Sequence, residues 1–282
     1  MRRASKPPPA PAARSPLASS GGPKGAAKSG AKGTTKNAAK HAPRPASRAA
    51  AEDAAFLATY DASKFPHPSV AVDVAVLTLD GERLHALLVP RTEPPFRGRL
   101  ALPGTFIRME ESLDAAAHRV LAEKAGLRGV FLEQLYTFGA PERDPRTRVI
   151  SVAYVALVAK ERLAEDERRR LHPLEVPWAG ETGGPVEVTG GPLAFDHASI
   201  LGMAVKRLRG KLDYTPIGFQ LLPDAFTLRD LLRVHEVVLG RPLNKDSFRR
   251  RMLASGDLSA TGVQEVSVDH RPAELYRFAR RS

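Results

Sequence analysis

Val70, Val72, Val74 and Val76 hold every second position of one apolar run, which is the period of an extended strand. Asp80-Gly81 supplies a turn, and Leu84 to Val89 predicts a second strand running back. Leu113, Ala117, Val120, Leu121 and Lys124 follow helical spacing instead. Val130 to Phe138 and Val149 to Val158 read as two further strands, and residues 51–60 as a short helix. Residues 160–190 are polar, with Pro and Gly clusters, and no element is assigned to them.

Beyond Leu193 the period is helical. One helix is expected over 196–211. Thr227 is placed to cap a second, with Phe226 and Leu231 as a hydrophobic staple. Leu228, Leu231, Leu232, His235, Val238 and Leu239 form its apolar face, and Gly240 suits its end. Asn244 is placed to cap a third helix, stapled by Leu243 and Phe248 and closed by Gly256. Strand-like segments follow near 263–268 and 273–278. This order of elements is that of a winged helix-turn-helix.

Composition divides the chain further. The net charge is +12 over 282 residues, but residues 1–50 hold 11 Lys/Arg and no Asp or Glu. Such a stretch, almost without large apolar side chains, buries too little surface to offset chain entropy and is expected to be disordered. Lys24, Lys28, Lys32, Lys36, Lys40, Arg44 and Arg48 recur every fourth residue, yet Gly25, Gly30, Gly33, Pro43 and Pro45 oppose a stable helix. The middle of the chain is mildly acidic and the C-terminal part basic. The expected organisation is a basic tail (1–52), a ligand-binding domain (53–190) and a DNA-binding domain (191–282). With no cysteine, disulfides and thiolate metal sites are excluded. No apolar run approaches the roughly 20 residues of a membrane span, and no apolar stretch follows MRRASK. A cytoplasmic, nucleoid-associated protein with no membrane partner is expected.

Leu102 to Leu127 reads LPGTFIRMEESLDAAAHRVLAEKAGL, and it resembles a Nudix box, G-x5-E-x7-R-E-U-x-E-E-x-G-U with U a bulky apolar residue. Glu111, Arg119, Leu121, Gly126 and Leu127 fall in register. Thr105 stands for the first glycine, Val120 for the glutamate after the arginine, and Lys124 for the second of the paired glutamates; Glu123 survives. The resemblance implies an α/β/α sandwich and a reaction that cleaves diphosphates with Mg²⁺. Mg²⁺ takes oxygen ligands in a near-octahedral shell. With Val120, Glu123 and Lys124 at its three helical positions, one carboxylate remains and an ammonium repels the ion. Glu111, Arg119 and Glu123 are therefore remnants, with no catalytic or metal role and no required cofactor. The alternative is a working hydrolase, in which Glu110, Glu111 and Glu123, helped by Glu165 or Glu167, rebuild a Mg²⁺ site.

The text outside the box is more specific. FLATYDASKFPHPSVAVDVAVLT (56–78), LAFDHASIL (193–201), LRGKLDYTP (208–216), FQLLPDAFTLRDL (219–231), GRPLNKDSFRRRML (240–253) and AELYRF (273–278) resemble the NrtR family of Nudix-related transcriptional regulators. The resemblance implies a repressor that binds double-stranded DNA as a homodimer at a palindromic operator. It also implies ADP-ribose or a related nucleotide as effector, commonly in NAD metabolism and in some members in sugar pathways.

Individual residues follow from chemistry. A pyrophosphate calls for guanidinium groups, and Arg91, Arg108, Arg143 and Arg146 are the candidates. Arg119 is expected to pair with Glu111 or Glu123. His118 and His197 lack a metal-ligand partner at useful spacing and are expected in buried or capping roles; Trp178 and Tyr136 are expected in the core. On the third helix, Phe248 and Met252 define the buried side, leaving Ser247, Arg250 and Ala254 opposite. Arg250 is the candidate for base readout, Ser247 for base or phosphate, and Lys245 or Arg251 for phosphate. Arg271, at the hairpin, is a candidate for the minor groove.

Overall fold

A computed structural model of the chain describes residues 48–180, 182–266 and 271–279. The expectation of disorder in the basic tail, and the far end of the strand expected over 263–268, lie outside the described residues. By contacts the chain divides into two units, Met1–Ala62 and Ser63–Ser282. Within the first, α1 spans Arg48–Thr59 and buries none of its residues.

The second unit opens with the long strand β1 (Ser69–Asp80), the turn at Gly81 and β2 (Arg83–Leu87). Short strands β3 (Val89–Pro90), β4 (Leu100–Ala101) and β5 (Gly104–Phe106) lead into α2 (Leu113–Ala125). Then come β6 (Phe131–Phe138), β7 (Val149–Leu157), the short helix α3 (Glu165–Arg168), β8 (Leu171–Glu175) and β9 (Glu187–Val188). The main sheet runs β6-β7-β1-β2-β8-β9, with β5 also paired to β1. β1 lies parallel to β7 and antiparallel to β2 and β5.

β1 is buried on both faces, as a strand flanked by two layers must be. The alternating valines Val72, Val74 and Val76 pack with Ala116, Ala117, Val120 and Leu121 of α2. Ala75 and Leu77, which point the other way, pack with Ile200, Leu201, Ala204 and Leu208 of α4 (His197–Lys211). The result is the expected α/β/α sandwich. α4, grouped in the sequence reading with residues 191–282, is by packing the second outer layer of the sheet. The segment 160–190 contains α3, β8 and β9; β8 (LHPLE) has no strand period of its own and is placed by pairing with β2.

The remaining elements are α5 (Leu228–Leu239), α6 (Lys245–Ala254), β10 (Leu258–Gln264) and β11 (Glu274–Phe278), a winged helix-turn-helix. Thr227 caps α5 in a full capping box with Asp230, and Gly240 ends it at φ 68°. Asn244 caps α6 by accepting the Ser247 N–H at 2.9 Å. The first wing strand starts earlier than expected, at Leu258, because Leu258 packs on the winged-helix core and pairs with Phe278. That core is Phe226, Leu231, Leu232, Phe248 and Tyr276. Val234 and Val238, on another side of α5, join the core built on α4. One helix thus belongs to both cores, so the winged helix and the sandwich share buried surface.

Candidate functional site

On the α4 side of β1, a cleft of about 360 Å³ opens between β5, the β6–β7 loop and the start of α4. Its lining includes Asp73, Arg91, Phe106, Lys124, Arg143, Arg146, Phe195 and His197. Asp73 is the single charged residue inside the apolar run of β1, and it is buried at 7 % exposure. A buried carboxylate needs partners, and it has several. Ser151 Oγ donates to it at 2.6 Å and Arg143 Nη2 at 3.3 Å, and His197 Nε2 stands 3.7 Å away. Gly104 pairs with Asp73 across the sheet, and a Cβ at Gly104 would meet Asp73 Oδ1 at 2.0 Å, so only glycine fits there.

Arg143 also donates to Asp196 at 2.7 and 3.0 Å. Desolvation opposes its charge, but Asp196 and Asp73 outweigh that and raise its pKa. Asp196 precedes α4 without a capping bond of its own, since its carboxylate serves Arg143. His197 accepts the Leu102 N–H at Nδ1 (2.9 Å), and burial lowers its pKa, so it is neutral with its proton on Nε2. Arg146 clasps Asp144 through two N–H donors at 2.7 and 3.0 Å. Arg91 donates to the carbonyls of Pro95 (2.8 Å) and Glu93 (3.2 Å) and lies 4.8 Å over the Phe195 ring. Phe195 and Phe96 meet edge to face, and both have positive φ, 53° and 64°. Such backbone is costly outside glycine and marks a constrained place.

The cleft therefore gathers Arg91, Arg143 and Arg146 of the four expected arginines. Arg108 lies elsewhere: its N–H donates to Glu111 and its side chain points outward, 3.9 Å from Glu123. Asp73, Lys124, Phe195 and His197 were missed as cleft residues, and Asp196 as the partner of Arg143. A lone aspartate in an apolar strand was the one signal available in the text.

The box residues have other occupations. Arg119 pairs with Glu111 at 2.5 Å and with Glu123 at 3.5 Å, as expected. The Arg119 hydrogen bond holds the Glu111 carboxyl down to about 2. Val120 is in the core at 1 % exposure, and the Lys124 ammonium donates to the Gly104 carbonyl. Among the described residues, no three His, Asp or Glu side chains come together as a metal-holding group. Glu165 and Glu167, which the alternative reading enlists, pair with Arg169 and Arg170. These side chains do not fit a Mg²⁺ cluster: one ligand position is apolar and buried, another is a cation, and Glu111 is already neutralised.

Two smaller expectations need correction, and a third holds. His118 is exposed, neither buried nor capping, because it faces away from the sheet on α2. Tyr136 is 55 % exposed on the edge strand β6, at the irregularity between Gln134 and Tyr136. Trp178 does pack against the core, under Arg209 at 4.7 Å.

α6 has the expected orientation. Phe248 is buried and Met252 packs against the winged-helix core, while Lys245, Ser247, Arg250 and Ala254 are exposed. Arg251 is exposed too, but it is held 3.6 Å from Asp213, just beyond α4. Arg271 is an exposed residue between the wing strands. Among the described residues, no helix is long and apolar enough to cross a membrane.

These features define a class, a Nudix-type sandwich carrying a winged helix. Residues 67–181 match the NUDIX domain model, and residues 218–278 match the NrtR DNA-binding winged helix domain. The chain is 37% identical over 230 residues to the "ADPR responsive transcriptional repressor NtrR" of Acinetobacter baylyi, covering 79% of this chain and 87% of that protein. The crystal structure of Shewanella oneidensis NrtR complexed with a 27mer DNA has a TM-score of 0.63 at 33% identity, covering 74% of this chain and 93% of that one. Over 136 residues, 48% of this chain, it is also 31% identical to the ADP-ribose pyrophosphatase of Methanocaldococcus jannaschii, 72% of which is covered. The chain belongs to the NrtR family.

Proposed function

We propose that this protein is a DNA-binding transcriptional repressor, acting in NAD metabolism, whose grip on a palindromic operator is set by ADP-ribose or a closely related nucleotide. The nucleotide occupies the cleft, Lys245, Ser247, Arg250, Arg251 and Arg271 face the DNA, and the working form is a two-fold homodimer in the cytoplasm. No metal or other cofactor is required. One observation carries the reading: a Nudix cleft whose metal-ligand positions are Val120 and Lys124 is joined through α4 and α5 to a winged helix with a basic, exposed α6. The A. baylyi relative's name, with both an ADP-ribose response and repression in it, supports the same assignment.

α4 supplies the physical connection. It begins at His197, which lines the cleft, just after Asp196, which holds the cleft residue Arg143. Near its other end Arg209 donates to the Val238 carbonyl of α5 at 2.7 Å, and Asp213 holds Arg251 of α6. A nucleotide that favours one placement of α4 therefore biases the placement of α6, and its effect on DNA affinity is bounded by that preference.

The test uses an operator selected from a random duplex pool with the full-length chain. Operator binding is titrated with ADP-ribose in EDTA, and AMP release is followed separately with Mg²⁺ or Mn²⁺. A shift in operator affinity without turnover is expected. Unchanged operator affinity at saturating ADP-ribose, or turnover near about 1 s⁻¹, defeats the proposal and favours the hydrolase reading.

A further inference from the structure

Four cations line the cleft, and they are not equivalent. Arg143 is committed to Asp73 and Asp196, and Arg146 to Asp144. Arg91 and Lys124 make their hydrogen bonds to carbonyl oxygens instead: Arg91 to Pro95 and Glu93, Lys124 to Gly104. A carbonyl orients a cation without cancelling its charge, so these two keep donors and charge that a ligand can meet. Desolvation depresses the Lys124 pKa, with Arg119 and Arg91 adding to it against the pull of Asp73 and Glu123.

Lys124 occupies the position where the Nudix pattern has a metal-binding glutamate. It is fixed on the last turn of α2, and its ammonium is anchored on β5 by the Gly104 carbonyl. β5 is itself held in place by Asp73 on the neighbouring strand. An ammonium positioned in this way presents its remaining N–H donors to an anion, as a point charge.

We infer that Lys124 is the diphosphate-binding cation of the cleft, replacing with a fixed ammonium the charge that divalent ions bring to this site in a hydrolase, with Arg91 as its partner. This rests on the nucleotide reading above and specifies how the site holds its ligand. The ligand class is a nucleotide whose diphosphate links two groups. These two cations oppose the charge of such a diphosphate without a metal ion. The same exchange removes the hydrolytic chemistry: a lysine can hold a diphosphate, but it cannot activate water as a metal does.

Calorimetry on the full-length chain tests this, with ADP-ribose in EDTA and again in Mg²⁺. The wild type should bind equally in both. Lys124→Gln should weaken binding in EDTA by about tenfold or more, the loss of one charge-assisted contact. Lys124→Arg, which keeps the charge, should retain most of the affinity. Operator binding without ligand checks that each variant is folded. If the wild type fails to bind ADP-ribose, the proposed function falls and this inference with it. If the wild type binds and Lys124→Gln binds as tightly, the inference alone is overturned. It is also overturned if binding requires Mg²⁺, or if Lys124→Arg loses as much as Lys124→Gln.

Discussion

Asp213 Oδ1 lies 3.6 Å from Arg251 Nη1, so the turn that closes α4 holds a basic side chain of α6. Both side chains are well exposed, 68% and 49%. An ion pair of this kind contributes little to stability, but it occupies a guanidinium that DNA phosphate would otherwise meet. Asp213→Ala is therefore expected to change folding stability by less than about 1 kcal/mol. It should tighten DNA binding at low salt and steepen the log–log salt slope by up to about 0.9, one more phosphate contact. Fluorescence anisotropy across a salt series reads this out. Equal slopes for variant and wild type would mean that Arg251 stays off the backbone.

Arg250 separates readout from affinity. It projects from the exposed side of α6, where its Nη2 donates to Ser247 Oγ at 3.4 Å. Arg250→Ala should cost about 1–3 kcal/mol on the operator and little on random DNA. Competition binding against both duplexes decides the matter; equal losses would assign Arg250 to phosphate.

Val120 tests whether a metal site is one substitution away. The side chain packs among Val72, Val74 and Leu121, and its relative exposure is 1 %. Val120→Glu should destabilise the fold by about 3 kcal/mol, since a carboxylate there is buried without a partner. Urea unfolding measures it. A loss below about 1 kcal/mol would show that the new carboxylate escapes into the cleft.

His235 makes stability depend on pH. It is buried on α5, edge-on to Phe248 at 4.9 Å, with Gly218 on one side. Burial, reinforced by Arg251 and opposed by Asp213, lowers its pKa from 6.5 to about 4. Between those values the unfolded chain binds more protons than the folded one. Stability contributed at neutral pH is therefore lost as the pH falls from about 6.5 towards 4, by on the order of 3 kcal/mol. His235→Leu should flatten that part of the profile relative to wild type in unfolding experiments at stepped pH. Parallel profiles would refute the assignment.

Much of this protein is legible in its sequence. Thr227, Gly240, Asn244 and Phe248 specify two helices and their ends through neighbours a few residues away, and α6 turns the faces that its own period required. The alternating valines of β1 and the register of Glu111, Arg119, Val120 and Lys124 were equally local. Other facts have no local signature. Arg143 meets Asp196 and Asp73 across 53 and 70 residues, and those pairings, not its charge, make it a fixed part of the cleft floor. β8 exists because β2 offers it an edge, and α4 belongs to the sandwich because Ala75 and Leu77 present it a face. Lys124 was read from the text as a cation that repels metal. Only the folding of β5 beside the end of α2, setting that ammonium on the Gly104 carbonyl and into the cleft, gives it an anion to bind. Period and capping act over one or two turns of chain, whereas a binding site is an arrangement of distant segments, and topology alone sets which of those meet.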